Sequence, residues 1–242
     1  MSTIVLTDVT TWVAGYDMTT DLNSVSLKAE VEDKDATTFG AGGWRKRQGG
    51  LRDVTADLSG LWQADTVSVD SDAFTNLGVA DRVMTVSLDG TAGSPAFMFQ
   101  AGSFSYEIFD QVGELAPFSL NARGTNKAGL IRGQVSKPKG TQSATGAVGS
   151  AVNLGAVASG QYLYAAVHVF TAGTTVTLQL QSDDASGFSS PSSAGSAMSA
   201  ITTAGGTWMT RVAGPITDTW FRFNATAITG SFTMAAAIGI GS

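Results

Sequence analysis

Two runs of this chain alternate apolar and polar residues so regularly that only a pleated strand can use them. In SVSLKAEVE, Val25, Leu27, Ala29 and Val31 share one face, while Ser24, Ser26, Lys28, Glu30 and Glu32 share the other. In DVTADLSGLW, Val54, Ala56, Leu58 and Trp62 oppose Asp53, Thr55, Asp57 and Ser59. A helix would scatter both sets around its girth, so these are half-buried strands of an antiparallel sheet. Between them lies DKDATTFGAGGWRKRQGGLR, residues 33–52, which joins the strands as a long hairpin loop. A hairpin turn needs roughly two to five residues. The excess here carries Trp44 with glycines on both sides and the basic triplet Arg45, Lys46 and Arg47. An aromatic and a charge cluster gain nothing by standing in water alone, so the loop is expected to meet something.

Further strands are expected at 82–89, 96–109 and 115–124, with one short helix at 69–78 capped by Ser71 or Asp72 and ended by Gly78. Later in the chain, QYLYAAVHVF, TTVTLQLQSDD, AMSAITT, GTWMTRVAG, TWFRFNATAI and SFTMAAAIGI read as strands. Turn signals recur between them at the spacing of an all-β sandwich. Tyr162, Tyr164, Trp208, Trp220, Phe221 and Phe223 supply bulk for its core. The fold expected is therefore mainly β: an N-terminal antiparallel β-sandwich or half-barrel with one short helix and a long hairpin loop, followed by a C-terminal β-sandwich.

Charge divides the chain near residue 140. Residues 1–140 hold 12 of the 14 Lys and Arg and 17 of the 20 Asp and Glu. The segment between the halves, VSKPKGTQSATGAVGSAVNLG, has the Gly, Ser, Thr and Ala content of a linker, so domains 1–140 and 141–242 are expected. The net charge of −6 argues against a general nucleic-acid binder. No run approaches the roughly 20 apolar residues of a membrane helix, and the N-terminal segment has no export-signal pattern; no membrane insertion is expected.

The search for chemistry excludes most of it. With no cysteine and a single histidine, the common zinc ligand sets cannot be built. His168 lies in a strand apolar on both faces, where a histidine is a packed core residue more often than a catalyst. GAGGWR resembles a phosphate loop but precedes a strand rather than a helix. Asp183–Asp184 suits a turn as well as a hard cation, and the turn is favoured. Glu30, Glu32, Asp33 and Asp35 fit a solvated strand edge better than paired glycosidase carboxylates. No enzyme, metal or cofactor is expected. For the basic triplet three readings stand: nucleic acid, a solvated loop, or a protein interface. The third is favoured, because the triplet sits in a half with 12 basic against 17 acidic residues.

The order of segments, strand, D-A-T-T-F-G, glycine-flanked W-R, G-L-R and second strand, then a short acidic helix and paired strands, resembles the major tail protein, or tail tube protein, of long-tailed bacteriophages over residues 15–137. The C-terminal part, with its QSDDASGF turn, is similar to extra β domains carried by some of these proteins. The resemblance implies a structural virion protein located in the tail and assembled in the host cytoplasm. Its subunits form hexameric rings that stack into a hollow tube, through which DNA passes without specific binding. The implied partners are further copies of itself and the tail tip, tape measure and tail terminator proteins. Carried onto this sequence, Asp35, Phe39, Trp44, Arg45, Lys46 and Arg47 form an inter-subunit loop, and Glu30, Glu32, Asp53 and Asp57 face the lumen. The C-terminal half decorates the outside on its linker, and host surface glycans are a possible ligand. The competing reading is a carbohydrate-binding module, the C-terminal sandwich, on a β scaffold.

Overall fold

The computed structural model describes residues 8–39, 42–63, 65, 68–111 and 113–242; Gly40 and Ala41 of the glycine-rich turn and residues 1–7 of the segment searched for an export signal lie outside them. The architecture is mainly β, as expected, with antiparallel pairing and a single short helix among the described residues. The first half contains β1 (Thr10–Val13), β2 (Tyr16–Asp17), β3 (Leu22–Asp35), β4 (Arg47–Leu61), helix α1 (Val69–Thr75), β5 (Arg82–Ser87), β6 (Pro95–Ile108), β7 (Pro117–Gly124) and β8 (Ile131–Gln142). The second half adds β9 (Gly146–Asn153), β10 (Tyr162–Thr171), β11 (Thr175–Asp183), β12 (Ser192–Ser193), β13 (Gly205–Trp208), β14 (Val212–Ala213), β15 (Trp220–Thr229) and β16 (Phe232–Gly241).

One sheet of 12 strands runs through both halves in the order β13-β10-β16-β8-β6-β5-β1-β2, with β7, β4 and β3 branching from β6. The branch exists because β6 is long enough to serve two neighbours along one side. Its start pairs with β8 (Pro95↔Gln134) and its end with β7 (Ile108↔Phe118). A second sheet, β12-β11-β15-β9, closes a sandwich over β10 and β16. Between these layers Leu163, Val167, Val169, Leu178, Leu180, Phe221 and Phe223 are buried. A second core under β4, β6 and β7 takes Val54, Ala56, Leu58, Phe99, Phe118 and Leu120, covered by Val69 and Ala73 of α1. The alternation in DVTADLSGLW thus predicts the buried face of β4 correctly.

The residues 138–148, of linker composition, are not a linker. They carry the end of β8 and the start of β9, and β16 pairs along β8 from Phe232↔Gln142 to Ile240↔Arg132. Small residues serve close packing here: a Cβ on Gly149, whose φ is +73°, would lie 2.2 Å from the Ser136 carbonyl oxygen. A third core joins the halves, with Trp12, Val83 and Met98 against Tyr164, Ala166, Ala235 and Ala237. Two glycines permit this approach. A Cβ on Gly206 would lie 2.7 Å from the Val83 Cβ, and one on Gly15 would lie 2.7 Å from the Gly205 nitrogen.

Several local readings change. The face Val25, Leu27, Ala29 and Val31 is covered only as far as Leu27, Ala29 and Val31 being exposed, and the helix ends at Thr75 with Asn76 as its C-cap rather than at Gly78. The helix is capped by Ser68, whose side chain accepts from the Ser71 amide, rather than by Ser71 or Asp72; those two stand in its first turn. AMSAITT is not a regular strand. Met198 and Ile201 are buried; the Met198 amide donates to the Leu178 carbonyl, and Ile201 exchanges both backbone bonds with Val176 as an isolated bridge rather than a ladder. The loop 33–52 is shorter than read, because β3 and β4 continue pairing out to Asp35↔Arg47. No helix among the described residues is long and apolar enough to cross a membrane.

Candidate functional site

The longest feature without a core beneath it is the β3–β4 ribbon. β4 is buried only from Val54 onward; Arg47 to Asp53 are exposed throughout, and so is β3 from Lys28 to Asp35. The backbone ladder holds this outer part, helped by exposed ion pairs: Lys28–Glu30 (2.6 Å), Lys34–Glu32 and Arg47–Asp33. A register shift interrupts its ladder between Val31 and Asp33. At the tip, the Thr37 hydroxyl and amide hold the Asp35 carboxyl below the usual carboxylate range, and the Lys46 amide donates to the Thr37 hydroxyl (2.9 Å). These bonds shape the turn while leaving Phe39 and Trp44 in solvent, Trp44 at 82% exposure.

The sequence-predicted residues therefore fall into two groups. Phe39, Trp44, Arg45 and Lys46 gather at the ribbon tip, and among the described residues Arg45 and Lys46 form no ion pair. Arg47 and Asp35 instead face one another across the ribbon's last rung, and Arg47 is engaged by Asp33. Of the four carboxylates, Glu30 lies directly opposite Asp53, and Asp57 lies opposite Ser26 on the same face. Glu32 sits past them at the register shift, tied to Lys34.

That polar face extends further than the two strands. β7 continues it with Ser119, Asn121 and Arg123, which pair with Ser59, Asp57 and Thr55. The Asn121 side-chain amide donates to the Asp57 carboxylate (2.6 Å), and the Arg123 Nε donates to the Asn121 oxygen (3.2 Å). β6 ends it with Ser105 and Glu107, opposite Asn121 and Ser119. The result is a four-strand polar surface bearing Glu30, Asp53, Asp57 and Glu107 against Lys28 and Arg123. The missed members were visible in LAPFSLNARG, whose alternation sets Ser119, Asn121 and Arg123 apart from Phe118, Leu120 and Ala122. Phe104, Phe109 and Leu115, also exposed, carry no such signal, because each sits at a bulge or turn.

His168 is buried between Trp12 and Phe170, with Nε2 2.8 Å from the Thr85 hydroxyl and Nδ1 2.8 Å from the Ala14 carbonyl oxygen. Burial pushes its pKa down to about 4, and both ring nitrogens are occupied in joining the halves. Asp183 accepts from the Ala185 and Ser190 amides, the chemistry of a turn, and the first of these bonds chiefly holds its carboxyl below the usual range. Of the aromatics in the second half, Tyr164, Phe221 and Phe223 are core, while Tyr162, Trp208 and Trp220 are half-buried. The Arg211 guanidinium covers the Tyr162 ring at 3.9 Å.

No family model matches the chain, and no curated protein matches it. Among solved structures, a component of the virion of a native gene transfer agent particle is similar over 53% of this chain and 98% of its own, at 17% identity and a TM-score of 0.43. The SPP1 Dit protein, described as a hub adsorption apparatus of phages infecting Gram-positive bacteria, is similar over 97% of this chain and 99% of its own, at 12% identity and a TM-score of 0.38. A chain of the sheath-tube complex of an extracellular contractile injection system covers 55% of this chain and 93% of its own, at 14% identity and a TM-score of 0.39. Likenesses this distant leave the functional argument to the geometry of the ribbon and its polar face.

Proposed function

We propose that this chain is a structural subunit of a phage-type tail, forming hexameric rings that stack into a hollow tube. The observation that carries the reading is the four-strand polar face continuous with a projecting, coreless ribbon. A sheet with one face on a core and the other broad, flat in chemistry and mainly acidic suits the wall of a channel for a polyanion. Glu30, Asp53, Asp57 and Glu107 outnumber Lys28 and Arg123 on this face, and Lys28 is paired with Glu30, so the net field repels phosphate. Glu32 adds to the same field nearer the tip. DNA passes such a wall without specific binding.

The ribbon tip, with Phe39, Trp44, Arg45 and Lys46, is the inter-subunit element, and aromatics with Arg are the residue types favoured at interface centres. Asp35 and Arg47 shape its neck. Residues 1–140 supply the tube wall, and residues 141–242 decorate the outside through a shared sheet rather than a tether. Tail tip, tape measure and tail terminator proteins are the further partners, and the product resides in the virion tail after assembly in the host cytoplasm. Host surface glycans would be met by the half-buried Trp208 and Trp220, since the Tyr162 ring is already covered by Arg211.

Negative-stain electron microscopy of the purified, concentrated protein tests the reading. Stacked rings or hollow tubes with regular outer knobs are expected. Particles that stay small, in a protein that binds a glycan array through residues 141–242, would replace it with the carbohydrate-binding module.

A further inference from the structure

The two ends of the β3–β4 ribbon differ in which charges they leave unpaired. At the tip, the β3 side brings Asp33, taken up by Arg47, and Asp35, held by Thr37, while Arg45 and Lys46 form no ion pair among the described residues. At the other end of β4, about 45 Å away at roughly 3.3 Å per residue, stands the turn between β6 and β7. It is fixed there by pairing: Leu61 lies opposite Pro117, Ile108 lies opposite Phe118, and the Trp62 amide donates to the Ala116 carbonyl (2.8 Å). In and beside that turn are Glu107, Asp110 and Glu114. From residue 53 to residue 122 the only basic side chain is Arg82, which is occupied by Asp72 at 2.6 Å.

The apolar surface repeats the match. Phe39 and Trp44 project at the tip; Phe109, Leu115 and Leu61 are exposed at the far end, at 63%, 74% and 42%. The far end is also built to stay in place. Phe109 stacks edge-on against Trp62 with ring centroids 5.3 Å apart. The Trp62 Nε1 and the Tyr106 hydroxyl both donate to Asp70 of α1, at 3.0 and 2.8 Å. A projecting basic, aromatic tip and a firm acidic, apolar platform therefore lie on opposite ends of the same molecule.

We propose that the ribbon tip of one copy of this chain seats on the β6–β7 turn of a second copy, with Trp44 and Phe39 against Phe109 and Leu115, and Arg45 and Lys46 facing Asp110 and Glu114. The proposal rests on the assembly reading above and names the surface that receives the tip. Because the contact joins unlike surfaces, each added copy presents a fresh tip or a fresh platform, and copies add head to tail unless the rotation between them closes a ring. The other exposed apolar patch, Phe74, Leu77, Val79 and Phe104, is a poorer receiver. The carboxylates beside it are spent internally, Asp72 on Arg82 and Asp81 on the Thr125 hydroxyl.

Charge exchange tests the contact. R45E/K46E and D110K/E114K are compared with wild type by sedimentation velocity, with circular dichroism confirming that each is folded. Each pair of reversals alone is expected to weaken self-association about tenfold or more, and the fourfold variant combining them is expected to recover it. Trp44→Ala is expected to weaken association without lowering the melting temperature. Association that survives both reversals, a fourfold variant no better than either parent, or a wild type that stays monomeric at every concentration overturns the contact. The tube reading fails separately. Wild-type oligomers that respond to the charge exchange but never appear as hollow tubes uphold this contact and remove the tube, whereas hollow tubes unaffected by the reversals do the opposite.

Discussion

Every residue of β10 from Leu163 to Val169 is buried, whereas no residue of β4 before Val54 is. Both belong to one sheet, but they are held by different forces. β10 has a pairing partner on each side and a core on each face: Leu163, Val167 and Val169 enter the sandwich, and Tyr164 and Ala166 enter the junction between the halves. The outer ribbon has one ladder and exposed ion pairs, which contribute little in water. A two-stranded ribbon without a packed face is marginal by itself. The difference separates where the molecule is stable from where it is available to a partner, and it assigns opposite outcomes to mutations of similar size.

The largest loss of stability is expected in the sandwich. Phe223→Ala removes a fully buried ring and should cost about 3–5 kcal/mol, read as a lowered midpoint in urea. Acid should act next, through His168. Its folded pKa of about 4 lies below the ordinary 6.5, so between these values the unfolded chain holds a proton that the folded chain does not. Stability contributed by the neutral ring is thus fully present above 6.5, falls as pH drops through this window and levels off below it, a total of roughly 3 kcal/mol. The difference in urea midpoint between wild type and His168→Gln should narrow over that window; a constant difference would remove His168 as the source.

Gly206→Val should follow, at about 1–3 kcal/mol, because its branched side chain drives β13 off Val83 and the Ala14 backbone. Trp44→Ala should have the smallest effect on stability, within about 0.5 kcal/mol, since the ring touches no core. Under the proposed contact, its effect falls on self-association instead. Amide hydrogen exchange sharpens the same contrast: β10 and β16 should exchange only on global unfolding, and residues 28–35 and 47–53 far sooner.

Strand identity was legible wherever one face met a core and the other met water, as in β4, where Val54, Ala56 and Leu58 mark the inner face. It was legible in β10 only as a long apolar run, since burial on both faces erases alternation. The apparent linker misled because the close approach of β8 and β9 demands small residues, and Gly149 and its neighbours carry the same composition as a flexible tether. The ribbon tip announced itself through Trp44 and the basic triplet. The platform did not: Phe109, Leu115, Asp110 and Glu114 are an unremarkable turn in sequence, and only the pairing of β4 with β7 brings them to the end of the ribbon.

β16 lies between β8 and β10, although about ninety residues separate it from β8 along the chain. During synthesis, β8 therefore waits with one edge open and with Ile131 and Val135 partly uncovered until residues 232–241 have left the ribosome. Such an edge invites pairing with other chains. The tip and platform, by contrast, are complete once β7 has formed, long before that edge is closed. If copies associate through the proposed contact, finishing the sheet competes with meeting neighbours, and the long-range closure by β16 is expected to be the slower event.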